Sequence, residues 1–265
     1  MLAVLLAGCA SDAPTPPAEK ASPTIVSLNP CTDAILARVT APGQLLAISH
    51  YSKDPRSTSM TAAEAAHYPA TGGTVEEVLA LNPDVVVAST FIAPATKAAM
   101  DDLGLRVVTF GAASSIAQSE AQVRDLAALA GQAGRGERLV REMEQALARA
   151  RSSAGSVEAA LWQPGGIVPG KTSLVSDLLR STGFASYSAN RNMAQADYLS
   201  LEQVVADPPK VLLVAGSEEG QRHPVLDDLP AMRRETLDTR LLYCGGPTVI
   251  RAAERLADIR RTVAP

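Results

Sequence analysis

Apolar positions along the chain fall into short aliphatic runs separated by longer segments with apolar residues three and four apart. Residues 24–28, 45–49, 84–89, 106–110, 157–162 and 210–215 are the runs, rich in Val, Ile and Leu. Runs of that length and composition suit strands buried on both faces of a parallel sheet. Residues 30–39, 94–103, 115–130, 137–152, 173–181 and 249–261 carry the helical spacing, with Leu139, Met143, Leu147 and Ala150 forming one stripe. A further short strand is expected at 241–243. Strand and helix therefore alternate, the pattern of parallel α/β architecture.

One unit of this pattern occurs twice. Residues 74–89 read Thr-Val-Glu-Glu-Val-Leu-Ala-Leu-Asn-Pro-Asp-Val-Val-Val-Ala-Ser, and residues 200–216 read Ser-Leu-Glu-Gln-Val-Val-Ala-Asp-Pro-Pro-Lys-Val-Leu-Leu-Val-Ala-Gly. Each copy has a hydroxyl N-cap, an acid in the first helical turn, a Pro stop and an aliphatic strand. A unit repeated once, half a chain apart, predicts two similar α/β lobes with a ligand cleft between them. The expected division is an N-terminal lobe over 24–133, one long connecting helix over 134–154, and a C-terminal lobe over 155–265.

Charge and composition narrow the function. A net charge of −4 lacks the basic stripe of a nucleic-acid binder, so no nucleic-acid partner is expected. No apolar run is long enough to span a bilayer. At the N-terminus, Leu6-Ala7-Gly8-Cys9 fits a bacterial lipobox with Cys9 as the lipidated residue, although no Lys or Arg precedes it. Residues 10–23, with Pro14, Pro16, Pro17 and Pro23, read as a tether. The expected location is periplasmic, with the membrane reached through lipid alone. Cys31 and Cys244 remain. In an oxidising compartment they can form a disulfide, hold a metal, or pack as small apolar residues.

Signals for catalysis are poor. Gly165-Gly166-Ile167-Val168-Pro169-Gly170-Lys171-Thr172 matches a phosphate loop between a strand and a helix. Pro169 removes one of the amides such a loop needs, and no later strand ends in an Asp suited to magnesium. The loop is read instead as part of the cleft mouth, with Lys171 open to an anionic ligand group. There is no G-x-S-x-G, H-E-x-x-H or C-x-x-C pattern, and His50, His67 and His223 are scattered. An enzyme is not expected, no metal site is proposed, and no resident cofactor is required. The rival of another class is an exported NTPase or enzyme using the loop at 165–172.

Several segments carry a family resemblance. Ile25-Val26-Ser27-Leu28-Asn29-Pro30-Cys31-Thr32-Asp33, the loop Ser49-His50-Tyr51-Ser52-Lys53-Asp54-Pro55, and Gly73 through Asp84 resemble the cobalamin-binding proteins of BtuF type. Gly170-Lys171-Thr172-Ser173 and Pro247 through Ala253 continue the likeness in the second lobe. These are class III substrate-binding proteins of ABC importers, which take cobalamin, ferric siderophores or haem. The resemblance implies a monomeric, two-lobed protein with a shallow cleft and little closure. It implies permease docking through one Glu per lobe, Glu76 and Glu202, on rim charges that salt would screen.

The resemblance also implies a ligand set of Asn29, Cys31, His50, Tyr51, Gly72, Thr90, Phe91, Trp162, Lys171, Cys244 and Pro247. Tyr51 matches a cleft Tyr of the cobalamin binders, whereas Ala70 and Thr90 stand where those proteins carry tryptophans. Phe91 and Trp162 are expected to compensate, in a chain with 3% aromatic residues. Cys31 and Cys244 are expected to approach the cleft from opposite sides, touching the cargo or its metal, or forming a cross-lobe disulfide. With Lys171 and Arg191 as its only cationic candidates, the cleft favours a corrinoid cargo. A ferric siderophore or haem is the alternative, His50 and Tyr51 being types that ligate haem iron.

Overall fold

The computed structural model describes residues 21–242 and 244–263. The chain begins with β1 (Ile25–Ser27), α1 (Pro30–Val39), β2 (Leu45–Ser49), α2 (Ala62–Ala66), β3 (Ala70–Thr71), α3 (Val75–Leu81), β4 (Val85–Ser89), α4 (Pro94–Asp102) and β5 (Val107–Phe110). These strands form one sheet in the order β3-β2-β1-β4-β5, parallel throughout. Two helices follow, α5 (Ile116–Leu129) and α6 (Ala133–Ala150). The second half contains β6 (Val157–Trp162), β7 (Ile167–Val168), α7 (Leu174–Ser181), β8 (Phe184–Ser186), α8 (Tyr187–Asn190), β9 (Asp197–Tyr198), α9 (Leu201–Ala206), β10 (Val211–Val214), β11 (Arg233–Thr236) and α10 (Thr248–Thr262). Its main sheet runs β11-β10-β6-β8, again parallel, and β7 pairs with β9 as a separate antiparallel ribbon.

The repeated unit forms the same structure in both lobes. Thr74 caps α3 by accepting the Glu77 amide, and Ser200 caps α9 by accepting the Gln203 amide. Asn82, in the left-handed region at φ 45°, ends α3 before Pro83. The strands that follow, β4 and β10, are central and buried, as their aliphatic runs require.

Two stretches differ from the sequence pattern. The short strand expected near 241–243 is not seen at its described residues: Thr239–Leu241 is a 3₁₀ turn, Tyr243 lies outside the described residues, and β11 is the sheet edge. Its Arg-Arg-Glu-Thr sequence is mostly exposed, so it carries no apolar signal. Helix α6 begins at Ala133 and runs through Gly134 and Gly136. A Cβ on Gly136 would lie 2.5 Å from the Ala127 Cβ, so glycine permits α5 and α6 to touch.

One buried cluster joins Ile25 and Ile48 of the first sheet, through Ile35, Leu126 and Met143, to Leu179, Leu213 and Ile259 of the second half. The lobes thus share a helical layer made from α1, α5, α6, α7 and α10. Further links cross that layer. Gly246 donates its amide to the Ser119 hydroxyl at 2.6 Å, and Ile116 donates to an Asp177 carboxylate oxygen at 2.9 Å. Cys31 and Cys244 are joined by a disulfide, with Cα atoms 5.0 Å apart. Shared core and covalent bond together oppose large relative motion of the lobes.

Candidate functional site

Ligands of parallel α/β sheets gather beyond the carboxyl ends of the strands. At that edge of the first sheet lies a concavity of about 440 Å³, lined by residues including Leu28, Ser49, His50, Tyr51, Thr71 and Phe91. Gly72, Gly73, Ala88, Ser89, Ile92, Ala93 and Thr96 complete it. The local fold places them: Leu28 follows β1, His50 and Tyr51 follow β2, Gly72 follows β3, and Ser89 closes β4.

His50 and Tyr51 open a 3₁₀ turn, His50–Lys53, fastened at both ends. The Ser49 hydroxyl accepts the Tyr51 amide at 3.3 Å. Lys53 donates its ammonium to the carbonyls of Ala65 and Tyr68. The rings of His50 and Tyr51 stand 4.0 Å apart, tilted by 36°. His50 Nδ1 lies 3.3 Å from the Thr71 carbonyl oxygen. A carbonyl only accepts, so the contact selects the tautomer with hydrogen on Nδ1 and leaves the Nε2 lone pair as a donor for metal. Tyr51 is 53% exposed and Phe91 86%, so both rings offer their surface to a ligand.

Under this turn lies Asp33, fully buried. Its Oδ2 accepts the Ser49 amide at 2.9 Å and the Ser52 hydroxyl at 2.6 Å. Burial pushes its carboxyl up to about 7, against the opposing pull of the Ser27 and Ser52 hydroxyls and the Ser49 amide. Beside Gly72, the Glu77 carboxylate accepts the Thr71 hydroxyl at 2.7 Å and the Gly72 amide at 2.5 Å, and these bonds hold it below the usual carboxylate range. Glu77 thereby shapes the concavity wall, while its neighbour Glu76 is exposed and faces solvent at the start of α3. Glu202 is likewise exposed at the start of α9. Its carboxyl is lowered by its own amide and by the Ser200 hydroxyl.

The remaining expected ligand residues lie elsewhere. Trp162 is 3% exposed and donates Nε1–H to the Leu199 carbonyl at 2.8 Å. It is a core residue of β6 packed among Val168, Leu199 and Val214, and offers the cleft no stacking face. Lys171 borders a separate depression with Ser156, Arg180 and Asn190. Its loop is drawn there because Gly170 donates to Gln195 and accepts the hydroxyls of Ser173 and Ser176. Pro247, at the start of α10, lines a different hollow between α1, α2 and α10. Thr90 is exposed just outside the concavity, beside Gly111. Asn29 caps α1 by accepting the Cys31 amide at 3.0 Å. Arg191 is committed to Glu158, Asp207 and the Tyr187 ring. With Cys31 and Cys244 bonded to each other, neither offers a thiolate to a metal.

The loop at 165–172 commits several of the amides that a phosphate cradle would need. Gly165 donates its amide to the Glu218 carboxylate at 2.6 Å, Gly166 donates to the Gln163 carbonyl, and Ile167–Val168 is the strand β7. The amides of Gly165, Gly166 and Gly170 are thus engaged, and at Gly165 a carboxylate stands where an anion would. Among the described residues no group of three or more metal-capable side chains occurs, and no helix is long and apolar enough to cross a membrane. Cys9 lies outside the described residues.

Sequence reasoning missed Leu28, Ser89, Ile92 and Asp33. The first three could have been found from the rule that strand ends line the site. Asp33 carried a weaker signal, an acid inside the otherwise apolar stretch Thr-Asp-Ala-Ile-Leu.

Solved structures share this fold. The periplasmic heme-binding protein RhuT from Roseiflexus sp. RS-1 aligns at a TM-score of 0.72 and 24% identity, covering 92% of this chain and 100% of that one. The periplasmic heme-binding protein HutB of Vibrio cholerae aligns at 0.73 and 16%, covering 91% and 99%. The periplasmic vitamin B12 binding protein BtuF of Vibrio cholerae aligns at 0.68 and 16%, covering 91% and 97%. Among curated proteins none matches in sequence. The periplasmic binding protein family pattern matches residues 25–237, the first lobe and most of the second up to α10, and the chain belongs to that family.

Proposed function

We propose that this protein is the extracytoplasmic substrate-binding component of an ABC importer for a metal chelate, and that its cargo is haem. The observation that carries the cargo is His50, whose Nδ1 is tied to a backbone carbonyl while Nε2 has no hydrogen bond among the described residues. Histidines that ligate metals are commonly oriented in this way. Tyr51 beside it supplies a phenolic oxygen as a second ligand, and the exposed Phe91 ring supplies apolar surface for a porphyrin face. A corrinoid is the less supported cargo, because the tryptophan expected to stack on it is in the core. The like-folded proteins named as heme-binding support the same choice.

Titration with haemin is expected to give a saturable 1:1 change in the Soret band. His50→Ala should weaken binding by about tenfold to a hundredfold, the scale of one lost coordination bond, and shift the band. Saturable binding of cyanocobalamin with no haemin response would keep the architecture and overturn the cargo.

Delivery would use Glu76 and Glu202, exposed at matching helix starts in the two lobes. The double variant Glu76→Arg/Glu202→Arg should bind haemin normally but lose stimulation of the permease ATPase. Wild-type stimulation should fall with added salt, as rim charges require. Full stimulation by the double variant would remove these residues from docking.

Cys9 is the proposed lipid attachment. The described chain starts beside Gly131 in the α5–α6 turn, and Pro23 is held by Gln44. That is the opposite end of the first sheet from the concavity, so a tether would leave the binding face clear.

A further inference from the structure

The turn that presents His50 and Tyr51 rests on one buried carboxylate. Asp33 reaches from the first turn of α1 and uses a single oxygen, Oδ2, to hold the Ser49 amide ahead of the turn and the Ser52 hydroxyl inside it. The two bonds bracket His50 and Tyr51. Oδ1 is buried without a hydrogen-bond partner among the described residues. A carboxylate held without a counter-charge in the interior is costly, and an apolar residue there would fold more easily. Its neighbour Cys31 is covalently tied to the other lobe, so α1 is a fixed base from which Asp33 can act.

We propose that Asp33 is the positioning residue of the ligand site, setting the attitude of the His50–Tyr51 turn toward the cargo without touching the cargo itself. This rests on the reading of His50 as the haem ligand. Asp33→Asn keeps an acceptor oxygen where Oδ2 stands, so both bonds persist. Asp33→Ala removes both, and Ser52→Ala removes one with little disturbance of packing.

Haemin titrations and hydrogen exchange of the amides at 49–53 test the proposal on the intact protein. Asp33→Ala should weaken haemin binding tenfold or more, the scale of losing two buried hydrogen bonds. Ser52→Ala should weaken it about threefold to tenfold while lowering Tm by no more than several degrees. Both should move the Soret maximum and speed exchange at 49–53, and Asp33→Asn should restore affinity to within about threefold of wild type. Ser52→Ala that binds and exchanges like wild type would overturn the proposal, as would Asp33→Asn behaving like Asp33→Ala. If wild-type protein takes no haemin, the cargo reading fails and the exchange arm still decides: faster exchange at 49–53 in Ser52→Ala supports the positioning role, and unchanged exchange overturns it.

Discussion

Removing the Cys31–Cys244 bond is expected to cost about 4–5 kcal/mol of unfolding free energy. The two residues are 213 positions apart, so the bond closes nearly the whole chain into a loop in the unfolded state. Chain-entropy arguments put a loop of that length at about 5 kcal/mol, at the upper end of what native disulfides contribute. Nothing in the fold makes the bond redundant, because it joins the start of α1 to the segment before α10, elements from different lobes. A Cβ on Gly246 would lie 2.4 Å from the Ile35 side chain, so the backbone already approaches α1 closely at this point.

Urea unfolding of the Cys31→Ala/Cys244→Ala variant should show the loss, with a Tm lower by about 10–15 °C for a chain of this size. Its m-value should rise, because an uncrosslinked unfolded chain exposes more surface. Wild-type protein unfolded with and without reductant separates the crosslink from the two lost sulfur atoms, since reduction deletes no atoms from the core. Equal midpoints in those two conditions would show that the crosslink contributes nothing.

How much of this was legible in the sequence depends on which signal each feature leaves. Strands β2 and β6 and helix α1 match their expected bounds, since each is an aliphatic run or a Pro-started helix after an Asn cap. The repeat announced two lobes because its capping chemistry is local. Strand β11 left no trace, as an exposed edge needs no apolar residue on either face. The site divided in the same way. His50, Tyr51, Gly72 and Phe91 follow strands in sequence, and strand ends bring them together. Trp162 also ends a strand, but side chains alternate across a sheet, and that alternation turned it into the core of a strand covered on both faces. Lys171 depended on hydrogen bonds of Gly170 with residues distant in sequence, which no local pattern encodes. The cysteine pairing is likewise a property of the tertiary fold, since two thiols 213 positions apart carry no register of their own.

Asp33 should make the protein less stable as pH rises from about 4 to about 7. Its carboxyl titrates near 7 in the folded protein against 3.8 as the ordinary value. Between those values the unfolded chain has released the proton and the folded protein retains it. The folded state therefore binds more protons there, and raising the pH favours unfolding. The contribution is nil below the unfolded value, grows by about 1.4 kcal/mol per pH unit, and levels off above 7 at a total of about 4 kcal/mol. The causes are burial first, then opposing hydrogen bonds, with no counter-charge among them. Cationic groups on the surrounding elements are committed elsewhere: Lys53 to the carbonyls of Ala65 and Tyr68, Arg38 to Glu142, and Arg251 to the Ser59 carbonyl. Asp33→Asn cannot ionise but keeps the acceptor oxygen, so it is the reference. The unfolding free energy of wild type relative to Asp33→Asn should fall by about 2 kcal/mol between pH 5 and pH 7, then by only a few tenths more to pH 8. A difference that is flat across this range would mean that Asp33 ionises as an ordinary carboxyl, and that the bonds from Ser49 and Ser52 balance its burial. The disulfide does not titrate, so its contribution should leave this slope unchanged. A slope of the same size in the Cys31→Ala/Cys244→Ala background would assign it to the carboxyl, whereas a slope that vanishes there would mean that the crosslink is what keeps Asp33 buried.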